Sequence, residues 1–187
     1  MRTRPIPVRL NGMTAALRRV AAIVLGLFLA GSLLPATASA HQPVNLDSSD
    51  RSPARGPLLL DGTVSFAVYA PMAVQKAKRG FRFRMSAGQP LRMQVLITDT
   101  APANRLKRRE LPVITLISPS GKRTKMKPRE RTPFYEPYSG TSYLYLSRYS
   151  ATAESGTYRV WVKSRTNTAV RAVVAVGYRE VPGQVRD

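Results

Sequence analysis

The chain has 187 residues, 43% hydrophobic and 21% charged, with 30 Lys and Arg against 10 Asp and Glu, no Cys and one His. Without Cys there is no disulfide scaffold, thiol nucleophile, iron–sulfur cluster or Cys zinc site, and one His excludes any site needing two imidazoles from one chain. The hydrophobic fraction is that of a folded domain, and the length suits one domain with an appendage.

The appendage is expected at the front. Residues 1–40 carry Arg2, Arg4, Arg9, Arg18 and Arg19 and no acid, then an apolar run, Val20 to Leu34, then Pro35 and the small-residue string ending Ala38-Ser39-Ala40. A positive segment, an apolar segment and an A-x-A site are the marks of a secretory signal peptide. The alternative is a retained membrane anchor, for which the run is shorter than the roughly 20 residues a span needs. Cleavage would make His41 the first residue. From His41 on, 25 basic residues face 10 acids, a formal net charge of +15.

Residues 41–61, punctuated by Pro43, Pro53, Gly56 and Pro57, read as an extended lead-in. The remainder, 62–182, reads as strands between turn signals, with 183–187 as a tail. Thr63–Ala70 is rich in β-branched and aromatic residues. Gly80–Ser86 alternates with a period of two, Phe81, Phe83 and Met85 on one face and Arg82 and Arg84 on the other. Ala87–Pro90 is a turn, and Leu91–Thr98 returns with Leu91, Met93, Val95 and Ile97 inward. The two segments are expected to form a hairpin, which would put Arg82, Arg84 and Arg92 on one sheet face.

Val113–Ser118 follows, and Ser118-Pro119-Ser120-Gly121 has the residue order of a type I turn. Lys122–Lys127 then reads as a polar edge strand, its lysines discouraging edge-to-edge pairing. Thr141–Ser147, Gly156–Ser164 and Ala169–Tyr178 complete eight strands, the last apolar on both faces and so expected to be central. Eight strands in this length predict an all-β antiparallel β-sandwich or jelly roll, a closed barrel being the alternative. The two long connections, 99–112 and 128–140, either cross between sheets or carry function.

The run Ala153-Glu-Ser-Gly-Thr-Tyr-Arg-Val-Trp-Val162 resembles the penultimate strand of bacterial pre-peptidase C-terminal-type domains, and Leu116–Gly121 is similar to their mid-domain strand and turn. Asp61–Phe66 and Arg131–Pro137 resemble stretches of uncharacterised exported actinobacterial-type proteins. The first resemblance implies a small jelly-roll sandwich of a secreted protein. Neither implies a catalytic residue.

No nucleophile elbow, phosphate-binding glycine loop or metal-ligand spacing appears. The acids Asp99, Glu110, Glu130 and Glu136 are scattered and are expected to pair with Arg, so no enzyme and no cofactor is predicted. Three binding features stand out instead. A basic surface gathers Arg82, Arg84, Arg92, Lys122, Lys125, Lys127, Arg129 and Arg131, suited to an anion. An aromatic set, Tyr135, Tyr138, Tyr143, Tyr145 and Trp161, suits sugar stacking, the alternative being that the tyrosines pack beneath a long loop. His41, once N-terminal, is a candidate copper ligand through its amine and imidazole, with Met72, Met85, Met93 and Met126 as candidate soft ligands or core residues.

The sequence therefore predicts a secreted, extracytoplasmic, non-enzymatic β domain associated with the cell envelope. Its expected partners are an anionic polymer, lipid head groups or a glycan. The alternatives are a domain that docks onto another exported protein, marked by a compact apolar patch, and a copper-binding protein using His41. The charge alone would also suit nucleic acid, but the expected export argues against that as the biological partner.

Overall fold

The computed structural model describes residues 41–187, so the expected signal peptide and its cleavage site lie outside the described residues. Twelve strands form two six-stranded sheets. The front sheet has the order β1 (Gln42–Asn45), β3 (Phe66–Met72), β11 (Val170–Val176), β5 (Pro90–Thr98), β9 (Thr141–Thr152), β8 (Thr132–Glu136). The back sheet has the order β12 (Val185–Arg186), β2 (Leu58–Leu59), β4 (Lys78–Met85), β10 (Gly156–Lys163), β6 (Val113–Ile117), β7 (Arg123–Met126).

The inner faces of both sheets meet in one core. Phe66, Val68, Met93, Ile97 and Leu146 come from the front, and Phe81, Phe83, Ile114, Leu116 and Val160 from the back. The longer strands supply every second residue, apart from the bulged β9, so the period-two pattern read from the sequence is largely the pattern of the core. Phe83 stacks on Tyr158 of β10 with centroids 5.1 Å apart and planes 3° apart. Met72, Met85, Met93 and Met126 are all buried here.

Two expectations about connectivity are corrected. The sheets are mixed rather than wholly antiparallel, because β1 pairs in parallel with β3 and β2 in parallel with β4. The segment 41–61 thus belongs to both sheets, with Leu46 and Leu59 in the core. Gly56 and Gly80 permit this: a Cβ on Gly56 would lie 1.8 Å from the Gly80 carbonyl oxygen, and one on Gly80 would lie 2.3 Å from the Pro53 nitrogen. The terminal residues likewise supply β12, which pairs with β2.

The second correction concerns β4 and β5, which form no hairpin. The turn at Ser86–Gln89 carries the chain from the back sheet to the front, and β5 pairs with β11 and β9. Alternation could not separate these outcomes, since in either arrangement Phe81, Phe83, Leu91 and Met93 face the core. The consequence differs: the two strands turn opposite outer faces to solvent.

Other readings of the chain hold. β11 lies inside the front sheet between β3 and β5, and β7 is the edge of the back sheet, joined to β6 by the Ser118–Gly121 turn. Both long connections cross between sheets. The first, 99–112, contains a 3-10 turn at Ala103–Arg105 and sends Leu106 and Leu111 into the core. The second contains β8. Strand β9 outruns its expected end at Ser147 because a bulge opposite Val95/Leu96 shifts its register. Leu144 and Leu146 point inward before the bulge and Tyr149 after it, which breaks the alternation in the sequence.

Candidate functional site

The two outer faces of the sandwich differ in chemistry. On the back sheet, inward residues alternate with Lys78, Arg82 and Arg84 of β4, Arg159, Trp161 and Lys163 of β10, and Arg123 and Lys125 of β7. The register sets these in rows: Arg82 opposite Arg159, Arg159 opposite Ile117, and Ile117 opposite Arg123. No Asp or Glu lies on any strand of this sheet. Lys78 Nζ sits 5.7 Å from the Trp161 ring centroid, so the indole is framed by cations.

Along the β7 edge this face deepens into a cleft of about 650 Å3, lined by Arg108, Arg109, Lys125, Lys127, Arg129 and Arg165, with Val113 and Pro128 as its apolar part. No acid lines it. Like charges so close repel one another. The fold holds them together by anchoring their backbones: Arg129 N–H donates to the Leu146 carbonyl at 2.7 Å, and Lys125 is fixed by the β6–β7 ladder. Among the described residues the ion pairs are Arg148–Glu130 at 3.5 Å and Arg179–Asp61 at 3.4 Å, and neither reaches this cleft.

The outer face of the front sheet has an apolar middle, with Arg92, Arg148 and Arg171 around it. Ala67, Leu96, Tyr143, Val173 and Ala175 form a second buried cluster, with Tyr69, Phe134 and Tyr145 packed against it. Ala67 pairs with Ala175 and Tyr69 with Val173, so small side chains make the floor between taller rings. The result is a groove of about 220 Å3, edged by His41, Gln94, Glu136 and the β8–β9 turn at Tyr138–Ser139. Burial, reinforced by the Tyr143 hydroxyl, pushes the Tyr69 phenol up to about 12. Burial also raises Tyr145. Two guanidiniums cap these rings from outside, Arg171 over Tyr69 at 4.8 Å and Arg148 over Tyr145 at 4.2 Å.

The residues singled out in the sequence divide accordingly. Arg84, Lys125, Lys127 and Arg129 lie on the back side as an exposed set. Arg82 is half-buried, its guanidinium donating to the Gly56 carbonyl at 3.0 Å, so it fastens the lead-in. Arg92 is on the opposite side, 5.0 Å over the Tyr178 ring, which corrects its grouping with Arg82 and Arg84. Arg131 is a clamp: it donates to the Asn104 and Leu106 carbonyls and ties the two crossing connections together. Lys122 stands at the turn end of β7, away from Lys127.

Of the aromatic set, Tyr138, Tyr143 and Tyr145 converge on the groove. Tyr135 points away from it, exposed, and Trp161 belongs to the basic face. His41 lies at the groove with Nδ1 3.0 Å from Ser65 Oγ. The buried methionines lie within the core, and no group of three or more potential metal ligands occurs among the described residues.

Sequence reasoning did not join Arg108 and Arg109, on the 99–112 connection, to Arg165, between β10 and β11, as parts of one cleft. It also missed the groove floor. The signal for the floor was present: Val173 and Ala175 of the doubly apolar β11 need a cover on each side.

No protein-family model and no curated protein matches the chain. Among solved structures, Aeromonas hydrophila PliG, a periplasmic lysozyme inhibitor of g-type lysozyme, aligns over 75% of this chain and 98% of its own, with 10% identity and a TM-score of 0.35. A likeness this slight carries no argument about function.

Proposed function

We propose that this protein is an exported, non-enzymatic binding domain whose back-sheet face and adjoining cleft attach to an anionic polymer or lipid surface of the bacterial cell envelope. The observation that carries this reading is the cleft of six cations with no acid in its lining, continuous with four strands that bear no acid. Arg forks give bidentate contacts to phosphate or carboxylate, while Lys adds point charge. Each such side chain near an anionic membrane contributes about 1 kcal/mol, so a handful suffices for salt-sensitive attachment. Trp161 among the cations supplies an apolar surface for the backbone of such a polymer.

The test is co-sedimentation with phosphatidylglycerol vesicles and with isolated cell walls, in low and high salt. Binding to at least one of them at about 20 mM salt, lost by about 500 mM, supports the reading. Empty pellets with both at low salt refute it. A second reading, docking onto another exported protein, is favoured by the apolar lining of the front-sheet groove, a concavity that suits one projecting side chain of a partner. It predicts a stable protein complex that persists in high salt.

A further inference from the structure

The groove on the front sheet is remote in chemistry from the cation-rich back. Among the described residues no Lys or Arg lines it, and one carboxylate, Glu136, does. That arrangement disfavours an anionic guest. A cationic guest is disfavoured too, because Arg171 and Arg148 already cover Tyr69 and Tyr145. The guest that fits is neutral.

Its size and polarity are also constrained. At about 220 Å3 the groove is smaller than the roughly 300–1,000 Å3 pockets that hold drug-sized ligands, so it admits about one ring. An extended peptide gains its affinity from an exposed sheet edge. The floor is instead the middle of a sheet, where β11 is paired on both sides by β3 and β5. The walls are aromatic, with Phe134 and Tyr145 centroids 5.3 Å apart. The rim is polar: the Gln94 amide, the Ser139 hydroxyl, the His41 ring and the Glu136 carboxylate, one oxygen of which accepts the Tyr138 N–H at 3.2 Å. Apolar walls for a C–H face and a rim of acceptors and donors for hydroxyls are the requirements of a pyranose ring.

We infer that this groove binds a single neutral pyranose unit of a glycan chain, seated over the Ala67–Ala175 floor against the exposed Tyr138 ring and hydrogen-bonded at its rim through Gln94 and Glu136. This site is separate from the anion-binding face, and its success or failure does not depend on that proposal.

The probes are cellotetraose, tetra-N-acetylchitotetraose and maltotetraose, titrated into the protein by calorimetry at low and high salt. At least one is expected to saturate with an affinity unchanged between about 20 mM and about 500 mM salt, because no ion pair forms. Ala175→Leu fills the floor and is expected to abolish the signal. Tyr138→Ala, at an exposed rim position that leaves the core untouched, is expected to weaken binding about three- to tenfold. Binding by none of the three sugars overturns the inference. So does saturation that is lost in high salt, or that survives both substitutions in folded protein. If the sugars fail while vesicles or walls still bind, the envelope-attachment reading stands alone.

Discussion

Replacing Arg108, Lys125, Lys127 and Arg165 together by Ser empties most of the positive charge from the cleft while leaving the core intact. All four are exposed and lack ion-pair partners among the described residues. At about 1 kcal/mol for each cation near an anionic surface, the change removes about 4 kcal/mol, close to a thousandfold in affinity. Folding stability should move little, since surface substitutions usually stay within about 0.5 kcal/mol each. The control removes charge from the front face instead: Arg92, Arg148 and Arg171 to Ser. The assay is the partition of each variant onto phosphatidylglycerol vesicles at low salt, with thermal denaturation as the check on folding. The cleft variant should bind at least a hundredfold more weakly than the control. Equal losses in the two variants would refute the argument, because net charge rather than this face would then govern binding.

Three further outcomes follow from the fold. Phe83→Ala removes a fully buried ring stacked on Tyr158 and should cost about 3–5 kcal/mol in denaturant unfolding. Gly177→Ala should lower stability by about 2 kcal/mol or more, because φ is +85° and the new Cβ would lie 1.9 Å from the Val64 carbonyl oxygen, a backbone atom that cannot give way. In a spectrophotometric titration, Tyr69 should ionise near pH 12. Its folded pKa lies above the value of 10 for an exposed phenol, so its contribution to stability is intact below pH 10 and is lost as the pH rises toward 12.

Much of this architecture was legible in the sequence because a period of two survives in the longer strands. Phe81–Met85 and Leu91–Ile97 announced their inner faces, the doubly apolar Val170–Val176 announced a central strand, and Ser118–Gly121 announced a turn. What escaped was short or non-local. Strands β2 and β12 have two residues each and show no period. The parallel pairing of β2 with β4 depends on Gly56 and Gly80 allowing backbones to approach, a relation between distant positions. The opposite placement of Arg92 follows from a sheet-crossing turn that alternation cannot distinguish from a hairpin. The basic cleft was visible as separate charge runs, but its unity needed the crossing connections and the loop bearing Arg165. The groove was half visible in Tyr143 and Tyr145. Its floor came from strands 67–69 and 173–175, which only pairing brings together.

The central claim is that the back face and its cleft meet an anion while the front face does not. Backbone amide chemical shifts recorded while a soluble polyphosphate is added test it residue by residue. Salt-sensitive shifts are expected to be confined to β4, β7, β10, Lys107–Arg109, Lys127–Arg129 and Lys163–Arg165, with the amides of β3 and β11 unmoved. Shifts centred on the front sheet, or spread evenly over every exposed Arg and Lys, would contradict it.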